Sequence, residues 1–205
     1  MTIRRVLTTT ISSATLAFSL ALAAPAAAQV GPSEGWGVEA TDVEPDSGIT
    51  YGQLSNGMKY AIRQNDTPEG AASFRLHVDF GSFGEAENEQ GLAHFIEHMA
   101  FNGTTNVPEG EMIPLLERLG LAFGPDTNAY TSFEETVYML DVPNATEYGL
   151  ETALFLLRET ASEITIDPEA VERERGVILA ERRTRNGYSY QELTDRFEFL
   201  YPDAR

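Results

Sequence analysis

The sequence predicts an α+β fold, a mostly antiparallel sheet packed with helices. Two observations carry that expectation. A hairpin signal and a strand of period two stand early in the chain, and segments with helical spacing interrupt and follow them. Composition permits such a fold: of 205 residues, 42% are hydrophobic and 10% aromatic, more than a chain unable to bury a core would carry. The length suits one domain or two small ones.

The first 28 residues read as a signal peptide outside the fold. Arg4 and Arg5 precede an uncharged apolar run from Ala14 to Ala24, and Ala26-Ala27-Ala28 offers small residues before a cleavage point between Ala28 and Gln29. The run of 11 residues is short of the roughly 20 needed to cross a bilayer, so no membrane anchor is expected. The chain is expected to be exported, to a periplasm or beyond.

Residues 29–50 mix Gly, Pro, Ser, Asp and Glu without periodicity and read as an extended leader; residues 51–205 read as the folded domain. Tyr51 to Leu54 and Met58 to Gln64 flank Ser55-Asn56-Gly57, a hairpin signal because Asn-Gly tolerates positive φ. Ala72 to Phe80 alternates Phe74, Leu76, Val78 and Phe80 with Arg75, His77 and Asp79, which predicts a strand with one buried and one wet face. Gly81 to Glu89 reads as a loop. Helices are expected over Gly91 to Phe101 and over Glu109 to Leu119, the second ended by Gly120. The Thr, Tyr and Val content of Ala129 to Val142 predicts one strand. A third helix spans Glu147 to Ser162. A fourth opens at Asp167-Pro168, an N-cap followed by a proline whose missing N–H costs nothing there, and runs to about Arg185.

Charge and composition narrow the function. With 32 Asp and Glu against 14 Lys and Arg, the formal charge is −18. Loss of the signal peptide would remove two arginines and no acid, giving −20. A phosphate backbone would repel such a chain, so no nucleic-acid partner is expected. The absence of cysteine excludes disulfides, thiolate metal sites and a cysteine nucleophile. Any metal must sit on His, Asp or Glu.

One cluster meets that requirement. His94, Glu97 and His98 form H-x-x-E-H in a helical segment. Positions i and i+4 share a helix face one turn apart, so both imidazoles can reach one ion. Glu97 leans toward the same face and can take a proton from water at the metal without being a ligand. Two imidazoles and a carboxylate with an open position suit zinc. With 3 His and 23 Glu in the chain, chance would place such a motif on the order of 0.003 times. A third ligand is needed. Glu174 and Glu181, two helical turns apart on the fourth helix, share a face, and periodicity alone does not choose between them. His77, on the wet face of a strand, reads as non-catalytic.

These segments resemble the pitrilysin/insulinase family of inverted-motif zinc metallopeptidases. The resemblance rests on Leu54-Ser-Asn-Gly-Met-Lys-Tyr60, Gly81-Ser82 with Glu85, Gly91-Leu-Ala-His-Phe-Ile-Glu-His-Met99, Phe101-Asn-Gly-Thr104, Asn128-Ala-Tyr-Thr131 and Glu172-Arg-Glu-Arg-Gly-Val-Ile-Leu-Ala-Glu181. It implies that His94, His98 and Glu181 are ligands of one zinc ion, with Glu97 the general base and Glu174 the supporting acid of the catalytic set. It further implies that Asn128, Ala129, Tyr130 and Thr131 form a sheet edge on which a peptide substrate adds as a strand. Residues 51–205 would then be the N-terminal catalytic metallopeptidase domain, the first domain of one clamshell half. In that reading the domain is incomplete at its C-terminus, and a C-terminal half or partner subunit completes the chamber. The expected activity is zinc-dependent hydrolysis of peptides or small unfolded proteins. The rival is a non-catalytic peptide-binding or scaffold subunit of the same family, which the intact His94, Glu97, His98 and Glu181 argue against.

Overall fold

The computed structural model describes residues 36, 42–122, 124 and 127–201, which fall into two compact units divided between Gln64 and Asn65. The expected signal peptide lies outside the described residues, as does most of the leader. No described helix is long and apolar enough to cross a membrane.

The first unit is a hairpin of β1 (Ile49–Gln53) and β2 (Lys59–Arg63), paired antiparallel with Tyr51 opposite Ala61. Its turn is built as the Asn-Gly pair requires. Gly57 has φ of 91°, and the Asn56 side chain accepts the Met58 N–H at 3.1 Å. Across the strands the Tyr60 ring lies against Gly52 so closely that a Cβ there would come within 2.2 Å of it.

The second unit holds a three-stranded antiparallel sheet in the order β3 (Ala72–Val78), β5 (Thr136–Val142), β4 (Thr127–Thr131). Here one expectation is corrected. The single strand over Ala129 to Val142 is two strands joined by Ser132 to Glu135, closed by the Ser132 N–H on the Glu135 carbonyl at 2.8 Å. The turn contains no Gly, Pro or Asn, so composition alone gives no break. β5, in the middle, buries Thr136, Val137, Tyr138, Leu140 and Val142. The alternation of β3 holds for Phe74 and Leu76 but not at its end, where Val78 and Phe80 are 41% and 45% exposed. On the wet face Arg75 pairs with Asp141 across β3 and β5 at 2.8 Å.

Among the described residues five α-helices accompany the sheet: α1 (Leu92–Met99), α2 (Met112–Arg118), α3 (Glu147–Ser162), α4 (Pro168–Arg185) and α5 (Tyr188–Leu200). α2 starts three residues later than the periodicity suggests and ends in a Schellman motif. The Gly120 N–H bonds the Glu117 carbonyl and the Leu121 N–H the Leu116 carbonyl, with Gly120 at φ of 81°. Thr146 caps α3 through Gly149, and Asp167 caps α4 through Glu169 and Ala170. α5 is not among the expected elements; its large apolar side chains, among them Tyr188, Leu193, Phe197 and Phe199, are exposed.

Met112, Leu116 and Leu121 around α2 meet Leu140 and Val142 of β5 and Ala153 and Leu156 of α3 in the main core. A smaller cluster of Leu76, Ala100 and Tyr138 sits beside the C-terminal end of α1. α1 packs against both β4 and α4, which brings three distant segments to one place.

Candidate metal centre

A helix of eight residues is too short to persist on its own, and α1 is held from both ends. Before it, Gly91 turns the chain at φ of 93°. The buried Glu85 carboxylate then accepts the Gly91 N–H at 2.6 Å and the Ala93 N–H at 2.7 Å, placing a negative group at the positive end of the helix. After it, the loop carrying Thr104 and Asn106 is fastened to α3 by Glu159, which is fully buried. Glu159 accepts from the Thr104 hydroxyl at 2.7 Å and from the Asn106 backbone and side-chain N–H groups at 3.1 and 3.0 Å. Burial works to raise its pKa, but those bonds and the Arg158 charge more than offset it and hold the carboxyl below its ordinary range.

On this anchored helix His94 and His98 turn their Nε2 atoms to within 3.2 Å of each other. From α4, Glu181 Oε2 stands 3.7 Å from His94 Nε2, and its Oε1 3.8 Å from His98 Nε2. One ligand atom from each of the three lies within 4.8 Å of the others. Zinc bonds of 2.0–2.1 Å in a tetrahedron place ligand atoms about 3.3 Å apart, so the three residues fit one ion with small adjustment. A second observation agrees. Glu181 Oε2 is buried and accepts no hydrogen bond; Arg185 reaches it at 3.3 Å, an ion-pair distance without hydrogen-bond alignment.

His94 is in the form a metal needs. Burial, then the nearby His98, lowers the His94 pKa against the opposing pull of Glu97 and Glu181, which keeps the ring neutral at pH 7. His98 Nδ1 is 2.9 Å from Glu174 Oε2. A carboxylate only accepts, so this bond puts a ring proton on Nδ1 and turns Nε2 toward His94 and Glu181.

Glu97 is buried, 8% exposed, and reaches β4, where the Thr131 hydroxyl donates to its Oε2 at 2.6 Å. Burial, with the Glu97 charge adding to it, pushes the Tyr138 phenol up to about 12. Of the expected edge residues, Asn128 and Tyr130 are exposed and Ala129 is half-buried. β4 is an edge strand among the described residues, paired only with β5. His77 lies apart, paired with Glu135 at 2.9 Å.

The expected metal and catalytic residues therefore meet around α1: His94, His98 and Glu181 as one group, Glu174 behind His98, and Glu97 against the Thr131 hydroxyl; Asn128, Ala129 and Tyr130 lie along β4. Glu159 and the Thr131 hydroxyl are contributions the motif search does not find. The first had a signal, since Glu159 falls on the buried stripe of Gly149, Ala153 and Leu156 where an acid demands partners. The second had none, because a strand threonine gives no sign of what its hydroxyl meets.

The chain is similar to known proteins. A family model described as insulinase (peptidase family M16) matches residues 60–198. The chain is 41% identical over 140 residues to a probable zinc protease PqqL of Haemophilus influenzae, covering 68% of this chain and 15% of that one. It is 37% identical over 160 residues to the probable zinc protease PqqL of Escherichia coli, covering 78% and 17%. The crystal structure of the periplasmic protease PqqL from Escherichia coli superposes with a TM-score of 0.75 at 36% identity, over 79% of this chain and 18% of that one. That of its first half gives 0.74 at 37%, over 77% and 34%. The chain thus spans less than a fifth of the length of the full-length relatives it matches here.

Proposed function

The chain belongs to the insulinase family of peptidases, and from that membership we propose that it carries the catalytic site of a zinc-dependent metallopeptidase. The observation that carries the proposal is the convergence of His94, His98 and Glu181 on one point, with a buried carboxylate, Glu97, beside it. His94 and His98 would hold the ion through Nε2 and Glu181 through a carboxylate oxygen, with Glu174 fixing the His98 ring. Zinc bound there would supply Lewis acidity, making water acidic near neutral pH and polarising the carbonyl under attack. Glu97 takes the proton of the attacking water as the new C–O bond forms. It returns that proton to the departing amine as the C–N bond breaks.

β4 would align the substrate. Because the Ser132 N–H bonds the Glu135 carbonyl, alternation of the antiparallel ladder turns the N–H and C=O groups of Ala129 and Thr131 outward. The outward Ala129 N–H donates to Asn128 Oδ1 at 2.9 Å, a bond that a peptide carbonyl can replace. Main-chain pairing of this kind binds many sequences, which suits a peptidase of peptides and small unfolded proteins. Export guided by residues 1–28, residues 51–205 as the N-terminal catalytic domain, and a C-terminal half or partner subunit that closes the chamber complete the proposal.

The test is hydrolysis of quenched fluorescent peptides by the full-length protein before and after zinc removal by a chelator. Cleavage should stop on removal and return with stoichiometric zinc. Cleavage that persists in zinc-free protein would overturn the reading.

A further inference from the structure

Glu97 has two carboxylate oxygens in different circumstances. Oε2 receives the Thr131 hydroxyl at 2.6 Å, whereas no group among the described residues hydrogen-bonds Oε1. Thr131 is itself constrained. Its Oγ1 is 3.3 Å from Thr136 Oγ1 on the neighbouring strand, and the buried Thr136 hydroxyl donates to the Phe80 carbonyl at 3.0 Å. The two threonines are opposite one another in the β4–β5 register, and branching at Cβ restricts the rotamers either can adopt. The Thr131 hydroxyl is the donor of the short bond and Glu97 Oε2 its acceptor.

We propose that Thr131 is a positioning residue for the general base, its hydroxyl holding Glu97 by Oε2 so that Oε1 is presented to the attacking water. The same residue thus serves twice, its main chain at the substrate edge and its side chain on the base. The register of a bound peptide is thereby tied to the placement of the group that activates water. The inference rests on the peptidase reading of Glu97 given above.

The experiment compares wild type, Thr131→Val, Thr131→Ser and Glu97→Gln in the full-length protein, measuring bound zinc, circular dichroism, and kcat and KM on one peptide. Valine keeps the shape and the main chain but lacks the hydroxyl; serine keeps the hydroxyl. Thr131→Val should keep zinc and fold, hold KM within about twofold, and lose about 10- to 100-fold in kcat, the range expected when a catalytic group is misplaced by an ångström. Thr131→Ser should recover most of that loss. Wild-type kcat in Thr131→Val, or a loss in both variants carried by KM, would overturn the inference while leaving the peptidase reading intact. Undiminished cleavage by Glu97→Gln would instead defeat that reading, and the inference with it.

Discussion

His98 Nδ1 lies 2.9 Å from Glu174 Oε2, a bond between residues 76 positions apart in the chain. It holds the ring so that Nε2 faces Glu181 and His94. Glu174 and Glu181 sit two turns apart on α4, and one helix thus supplies both the carboxylate proposed to meet the metal and the one proposed to orient a ligand behind it.

Glu174→Ala should therefore weaken zinc binding by about 10- to 100-fold, the usual effect of losing a partner behind a ligand. Glu172→Ala, two residues away and paired on the surface with Arg175, should change it little. Competition with a chromophoric chelator measures both, and equal affinities in the two variants would contradict the assignment of Glu174.

Glu181→Ala removes the only carboxylate that faces both Nε2 atoms among the described residues. Zinc that binds the folded state alone stabilises it by about 2.7 kcal/mol at 100 times its Kd. Added zinc should raise the unfolding midpoint of the wild-type protein and leave that of Glu181→Ala unmoved. A comparable rise in the variant would place the ion elsewhere.

Much of this was readable in residue spacing. His94 and His98 at i and i+4, Asp167-Pro168 at the head of α4 and Asn56-Gly57 in the hairpin each combine a local rule with a local outcome, and the structure follows them. Where the outcome depends on a distant segment the sequence was silent. The turn at Ser132 to Glu135 is made by pairing of β4 with β5 rather than by its own residues. The seven-residue spacing of Glu174 and Glu181 placed them on one face, yet only the packing of α4 on α1 shows that one meets Nδ1 of His98 and the other the paired Nε2 atoms.

The Glu159 network makes a prediction about pH. Its carboxyl titrates below the ordinary value of 4.5 when folded, so its contribution to stability is present above 4.5 and fades as pH falls through the lower folded value. Glu159→Gln should lower the unfolding midpoint by several degrees at pH 7, and the gap to wild type should shrink below pH 4.5. A gap that does not change with pH would mean that the charge of Glu159 is immaterial.

The substrate edge can be tested without altering the protein. If the outward carbonyls of Ala129 and Thr131 accept from the peptide, N-methylating the substrate amides one at a time should raise KM at alternate positions. One lost hydrogen bond of about 0.5–1.5 kcal/mol corresponds to roughly a 2- to 10-fold increase. A uniform effect at every position would argue against strand addition.

The central claim is that Glu97 acts on water while His94 holds the metal, and one paired measurement addresses it most directly: bound zinc and peptide cleavage in the full-length protein for Glu97→Gln and His94→Ala. Glu97→Gln should retain its zinc and lose cleavage by a factor of at least about 10², whereas His94→Ala should lose both. Zinc-loaded Glu97→Gln that cleaves at the wild-type rate would contradict it.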